Sequence, residues 1–572
     1  MIETFGSPFS SLTEKELQLA LIERLNLPAI LVSSSALGTI GRTLQCLEAL
    51  RIHGVHPSAV VLLGLRDEFA TEQIRRHSPV QPVYCLQSPR AWTPEEIGRS
   101  ATEQEVPLEE LQKAVDVSRT SSRFFDFAPV TEDLLARDRR HVWHPYTSLQ
   151  DLDPPLAVVG AQDEFLNLAD GRHVIDGISS WWTILHGHRN PNLLAALDEA
   201  LKCLDHVQFA GVTHPYAVQL AEKLLQTAPW QNGRVFYSDN GSTAVEVALK
   251  MAYQYWCHRG EPQRTLFIGF EHGYHGDTFG AMAVGRDPVF FGRFEPLLFR
   301  AEIVPVDPNQ LDSALANHKD QVAAVILEPL LQAAGGMRMH SPEALRQIFE
   351  VTQRHGVLFI ADEVMTGCGR TGTFWAHQAA GIAPDLICAA KTLAGGLLPL
   401  AATLVSPEIV TAFETADRRK TFFHGHSFTA HPLACAVACE NLRMLAEIAG
   451  WAKHDAPAHQ HRPGDCCGHA LPILSVVERT EAYWNVALMP LHRLPQVRDV
   501  RCLGTVAAVE LNVPGGYLAD IGRRMRQICL EHGVLLRPLG NVLYAIPPFC
   551  TSEESLETIA LAMREAVEHS LD

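Results

Sequence analysis

An α/β architecture with a large, mostly parallel sheet and a smaller α+β domain behind it is expected, on three observations. Short apolar strands alternate with longer amphipathic stretches, several of those strands end in polar or charged residues, and the pattern changes after residue 435. At the front, PAILV (28–32), an amphipathic stretch at 39–53, AVVLLG (59–64) and PVYCL (82–86) read as part of a parallel α/β layer. Residues 91–117 turn polar and Glu-rich, which suggests a helical connector or linker and puts a boundary near 115–135. Beyond it the strands VFY (235–237), TLFIGF (265–270), AAVILEP (323–329), VLFIADE (357–363) and DLICAAK (385–391) are separated by helical stretches. In such a sheet the active residues sit at strand C-terminal ends. From about 436 onward come helices together with VAAVEL (506–511) and NVLYAIPP (541–548), read as the smaller domain. The three expected regions are therefore 1–125, 135–435 and 436–572.

Composition narrows the partners. Forty-seven Lys and Arg against 65 Asp and Glu leave a formal charge of −18, which argues against broad binding to nucleic acid or anionic membrane. No apolar run approaches the length of a membrane span, and the first residues lack a basic and apolar leader pattern, so a cytoplasmic protein is expected. The 13 cysteines form no C-x-x-C pair, and Cys466 and Cys467 among His459, His461 and His469 fit no common ligand spacing. No metal site is expected.

Lys391 is the most informative residue. It ends the apolar run LICAA (386–390) and opens the glycine-bearing turn TLAGG, and it is one of only nine lysines. Burial disfavours an ammonium and frees the amine to attack a carbonyl. A strand-end lysine is also often a snorkelling structural group, so its company decides. Asn240, Gly241, Ser242 and Thr243 follow VFY and open a helix whose only charges up to about residue 257 are Glu246 and Lys250. The start of such a helix is an anion site, although an ordinary N-cap explains that short segment alone. Asp362 ends the apolar strand VLFI and needs a cationic partner: a protonated pyridine nitrogen, or equally a structural arginine such as Arg370. A strand-end amine, a strand-end carboxylate and a phosphate-ready helix start are together the contacts that pyridoxal phosphate requires, and Tyr274, in GYHGDT, could stack on its ring.

These residues sit in nine ordered motifs, among them RHVWHPYTS (140–148), DGRHVIDGISSWWTILHGH (170–188), SDNGSTAVEVALKMA (238–252), ADEVMTGCGRTG (361–372), KTLAGG (391–396) and RPLGNVLYAIPP (537–548). Through them residues 135–572 resemble the class III, fold type I aminotransferases, and within these the 7,8-diaminopelargonic acid aminotransferase branch of biotin synthesis. The resemblance implies Lys391 as the imine-forming lysine, Asp362 as partner of the ring nitrogen, Gly241 and Ser242 as the phosphate clamp, and Tyr274 stacked on the ring. It implies a homodimer, because Ser427 in HGHSFTA would reach the phosphate of the neighbouring subunit, with Gly425 beside it. His426 and Ser427 stand where the family has proline and threonine. Tyr146, Trp181 and Tyr544 would line the substrate pocket, and Arg537 would hold the distal carboxylate of 8-amino-7-oxononanoate, with S-adenosylmethionine as amino donor. The nearest alternatives are a relative acting on another amine with pyruvate as acceptor, and a catalytically weak scaffold that docks a synthetase.

The first 115 or so residues resemble part of dethiobiotin synthetase, a P-loop-type α/β fold, through IETFGSPFSSL and the stretch 27–64. Glu3 would match an acidic Mg²⁺ ligand of that family. No lysine follows a glycine anywhere in the chain, so the phosphate-cradling G-x-x-x-x-G-K-[ST] is missing and no synthetase activity is expected. Finally, the proline, His and Cys content of 450–490 leads to an irregular loop there.

Overall fold

The computed structural model describes residues 30–36, 38–52, 57, 59–64, 67–77, 83–87, 99, 132–150, 153, 155–448 and 475–571. The chain divides into two compact units, 1–129 and 130–572. In the first, strands β1 (Ile30–Ser34), β2 (Ala59–Leu63) and β3 (Val83–Leu86) form a parallel sheet in the order β1-β2-β3, with α1 (Thr39–Ile52) and α2 (Glu68–His77) as crossovers. Its core is small: Leu47, Val60, Leu62, Ile74 and Val83. Glu3 and the connector at 91–117, apart from Arg99, lie outside the described residues.

The second unit opens with an antiparallel meander of β4 (Val158–Gln162), β5 (Phe165–Leu168) and β6 (His173–Asp176). The large sheet follows, built from β7 (Arg234–Ser238), β8 (Leu266–Phe270), β9 (Ala301–Val304), β10 (Val322–Leu327), β11 (Leu358–Asp362), β12 (Leu386–Ala389) and β13 (Ala401–Val405). Its order is β7-β13-β12-β11-β10-β8-β9, and only β13 runs antiparallel to its neighbours. Helix α3 (Gly241–His258) crosses its face and buries Ala244, Val245, Ala248, Leu249, Ala252 and Tyr255 among others, a wide apolar face at helical spacing. β10, β11 and β12 are buried along their whole length, which explains why they read as continuous apolar runs.

After α4 (Pro432–Ile448) the chain re-enters the described region as α5 (Ser475–Leu488). From residue 475 onward this corrects the expectation of an irregular loop: Val477, Thr480, Trp484 and Leu488 are buried on one helical face. The prolines, histidines and cysteines that suggested a loop stop at Pro472, just short of the helix, and residues 449–474, including Cys466 and Cys467, lie outside the described residues. Strands β14 (Val497–Leu503), β15 (Val506–Leu511) and β17 (Val542–Ala545) make an antiparallel sheet packed by α5 and by α6 (Glu553–His569). β16 (Val534–Leu535) instead joins β6 in parallel, so the meander from the front of this unit is sewn to its rear. One core holds Ile175, Ile178 and Trp182 together with Trp484, Tyr544 and Met563. No helix among the described residues is long and apolar enough to cross a membrane.

Candidate active site

The ends of β11 and β12 and the start of α3 converge on a cavity of about 530 Å³, whose lining includes Lys391, Asp362, Gly241, Ser242, Tyr274 and Trp182 together with Glu328, His275 and Gly276. Lys391 follows β12, and its Nζ lies 5.2 Å from the centre of the Trp182 indole. Burial depresses its ammonium below the usual lysine value, while Asp362, Glu328 and Asp277 pull the other way. The amine is therefore easier to deprotonate than an exposed lysine.

Asp362 ends β11 at 3% exposure. Its partner is not Arg370, whose guanidinium donates to the carbonyl oxygens of Pro547 (3.0 Å) and Ile184 (2.9 Å). Instead His275 Nδ1 donates to Asp362 Oδ2 at 2.6 Å, and Val364 N donates to Oδ1 at 3.1 Å. Burial alone would depress the His275 imidazole, but the hydrogen bond and charge of Asp362, with Glu328 beyond, raise it above its ordinary value. His275 was not picked out from the sequence, although it sits in GYHGDT beside Tyr274. A histidine next to the tyrosine expected to stack on the ring was the available signal. Glu328 is buried, accepts from Tyr274 N (2.9 Å) and Ala333 N (3.0 Å), and is pushed up to about 7 by burial. It anchors the loop that carries Tyr274 and His275. The neighbouring Glu363 has a structural task, accepting from the amides of Ala376 and His377.

At the head of α3, the Asn240 side chain accepts from Thr243 N at 3.0 Å and Thr243 Oγ1 accepts from Asn240 N at 3.3 Å, a capping box. The cap takes the third amide, leaving those of Gly241 and Ser242 without an intrahelical acceptor at the positive end of the dipole. Glycine is required there on space alone: a Cβ on Gly241 would lie 2.5 Å from Val364 Cγ1. Ser242 Oγ accepts from Asp277 N at 3.1 Å. An unclaimed pair of amides, an amine with a depressed pKa and a buried carboxylate held by a histidine fit the phosphate, aldehyde and ring nitrogen of pyridoxal phosphate.

Beside the cavity stands an aromatic and cationic cluster. Tyr146 and Tyr274 hydroxyls are 2.9 Å apart, and Tyr146 also donates to Asp277. The Arg537 guanidinium lies 4.4 Å from the Trp181 ring centre and 5.9 Å from that of Tyr146, whose rings meet edge-on at 5.7 Å. Ser179, Ser180, Trp181 and Trp182 all have positive φ, from 45° to 72°, a left-handed turn that costs about 1–2 kcal/mol per residue. It is held by Ser179 Oγ donating to Ile546 O (2.7 Å), Ser180 Oγ to Asp176 (2.7 Å) and Trp182 Nε1 to Tyr544 Oη (3.2 Å). Tyr544 is fully buried behind Trp182 and touches the cavity only through that indole. Gly425 and Ser427 are exposed and do not line the cavity of their own chain. No group of His, Cys, Asp and Glu among the described residues could hold a metal ion.

Residues 147–567 match the aminotransferase class-III family model. The chain belongs to the class-III aminotransferases. Residues 1–95 of this class-III aminotransferase match a second family, described as an AAA domain. It is similar to the adenosylmethionine-8-amino-7-oxononanoate aminotransferase of Synechococcus elongatus, 43% identical over 75% of this chain and 98% of that protein. The enzyme of the same name from Geobacter sulfurreducens is 36% identical over 76% of this chain and 98% of its own length. Among solved structures, the adenosylmethionine-8-amino-7-oxononanoate aminotransferase of Methanocaldococcus jannaschii superposes with a TM-score of 0.69 at 31% identity, covering 77% of this chain and 99% of that one. The omega transaminase of Pseudomonas jessenii in complex with PMP gives a TM-score of 0.69 at 26% identity, covering 76% of this chain and 98% of that one.

Proposed function

We propose that this class-III aminotransferase transfers an amino group from S-adenosylmethionine to 8-amino-7-oxononanoate, giving 7,8-diaminononanoate, with pyridoxal phosphate as cofactor. The observation that carries the substrate assignment is the Tyr146, Trp181 and Arg537 cluster, joined to the cavity through the Tyr146–Tyr274 hydrogen bond. A guanidinium stacked on an indole beside a reaction chamber presents its planar donor fork to a carboxylate, while the aromatic rings accommodate the methylene chain. The names and near-complete coverage of the relatives point the same way.

Bound pyridoxal phosphate supplies the electron sink that makes the donor's Cα–H acidic. The chain's own residues do the rest. The Gly241 and Ser242 amides would hold the phosphate, and Asp362, whose Oδ2 accepts from His275 Nδ1 at 2.6 Å, would face the ring nitrogen and favour a proton there. Tyr274, which lines the cavity, would pack on the ring. Lys391 Nζ would hold the cofactor through its aldehyde while no substrate is bound; once the donor amine displaces it, the freed amine is placed to take the proton from the donor's Cα and, in the second half-reaction, to deliver one to the carbon that receives the amine. Arg537 holds the far carboxylate so that the ketone carbon lies near Lys391. Gly425 and Ser427, exposed in one chain, contribute from the neighbouring copy of a homodimer with shared sites. The front segment, without a P-loop lysine, forms no dethiobiotin from ATP, and such product made by the purified chain would contradict this.

The decisive experiment is the visible spectrum of the purified chain before and after S-adenosylmethionine, with Lys391→Ala as control. Conversion of the lysine-bound cofactor band to that of the amine form establishes cofactor and donor. A band that this donor leaves unmoved but another amine discharges would end the biotin-pathway assignment.

A further inference from the structure

The turn after Lys391 is held by a side chain from another helix. On α4, Asn441 Nδ2 donates to the carbonyl oxygens of both Thr392 and Leu393, each at 2.9 Å, and Asn441 Oδ1 lies 2.8 Å from His186 Nε2. Thr392, Leu393 and Asn441 are each at most 1% exposed, and His186 is 6% exposed. Only one arrangement satisfies these contacts. Two carbonyls can only accept, so the amide NH₂ faces them and Oδ1 faces the imidazole, which must carry its proton on Nε2. Burial holds His186 down at about 4, so the ring stays neutral near pH 7.

The backbone that this clamp restrains is unusual. Lys391 has φ of 24°, a value that a residue with a Cβ normally avoids, and Gly395 and Gly396 follow at 62° and 86°. A Cβ on Gly396 would stand 2.6 Å from Thr183 O, so the turn is also pressed against the segment that follows the Trp182 turn. Such a conformation persists only where its surroundings over-determine it. Neither Asn441 nor His186 lines the cavity, so substrate contact does not account for them.

We propose that Asn441, its amide oriented by His186, is a positioning residue for Lys391: by pinning carbonyls 392 and 393 it keeps Nζ aimed into the cavity. The inference rests on the reading of Lys391 as the reacting amine. In the holoenzyme, Asn441→Ala lowers kcat about 100-fold and leaves KM within about twofold, as misplacement of a reacting group by an ångström does. Without any substrate, the pH midpoint of the bound cofactor's visible absorption, which reports the Lys391 linkage, shifts by about one unit. A merely structural side chain would lower Tm and leave that midpoint where it is. His186→Phe, which removes the donor that orients the amide, gives a smaller loss of kcat and a shift of the same sign, and His186→Gln, which keeps an N–H, restores both. A folded Asn441→Ala holoenzyme with wild-type kcat and midpoint overturns the proposal. Should Asn441→Ala fail to fold, unchanged kcat and midpoint in His186→Phe overturn it instead. Full activity in Lys391→Ala would mark failure of the functional reading itself, and hydrogen exchange of the 391–397 amides then tests the clamp alone: unchanged protection in Asn441→Ala overturns it.

Discussion

Asp362→Asn is expected to lower kcat/KM by about 100-fold while the fold survives. Asparagine matches the carboxylate in shape and keeps the bond from Val364 N, but its amide would point donors at His275 Nδ1, now 2.6 Å from Oδ2. The imidazole must then shift its proton to Nε2, a buried atom with no partner among the described residues. A charge-assisted hydrogen bond of this kind contributes about 1.5–3 kcal/mol, and the proposed bond to the cofactor's ring nitrogen would be lost with it. A loss of about 3 kcal/mol in the transition state is about 100-fold in rate at 1.4 kcal/mol per decade. Folding suffers less, because the substitution also removes the desolvation cost of a carboxylate that is 3% exposed. The assay is single-turnover kinetics with saturating cofactor across pH. Since Asp362 raises both His275 and Lys391, the profile of the variant should move to lower pH. A kcat/KM within about fivefold of wild type would refute the assigned role, since it leaves too little transition-state energy to attribute to the carboxylate.

Arg537→Ala should raise KM for 8-amino-7-oxononanoate about 100-fold, with Arg537→Lys in between because it keeps the charge and loses the fork; equal KM values in both variants and wild type would place the carboxylate elsewhere. Trp484→Ala should destabilise the fold by about 3–5 kcal/mol, since the ring is fully buried and its Nε1 donates to Thr505 O at 3.1 Å; a Tm unchanged by the substitution would mean that α5 does not pack as described. Glu328, raised by burial from 4.5 to about 7, holds its proton in the folded chain at pH values where the unfolded chain has lost it. Its contribution is thus full below the unfolded value and is lost as pH rises toward 7, by about 3 kcal/mol. Denaturation at pH 5 and pH 8 should show that drop in wild type and not in Glu328→Gln, and parallel slopes in the two proteins would sink the assignment.

Much of the large sheet was legible because a strand buried on both faces is a continuous apolar run, and β10, β11 and β12 are such strands. The strands that reading passed over are short, partly exposed or alanine-rich: the meander β4–β6, β9, β14, β16, and β13, whose AATLV carries no period that separates strand from helix. Lys391, Asp362, Gly241 and Ser242 were visible because each stands where an apolar element ends, a position written in local sequence. The partners of those residues were not. Asp362 offered Arg370 and a pyridine nitrogen as counter-charges with equal plausibility, and only the folded chain shows His275 at 2.6 Å and Arg370 turned to backbone carbonyls.

By itself, then, the sequence determined where the chemistry-bearing residues sit along strands and helices, because hydrophobic periodicity and helix capping act over a few residues. Tertiary structure alone decided which of them meet. Tyr544 lies behind Trp182 across 362 residues of chain, and Asn441 reaches Thr392 across 49. Such pairings follow from the crossing of whole elements in a close-packed interior, where a hydrogen bond is made or lost over less than an ångström, and no local pattern carries that distance.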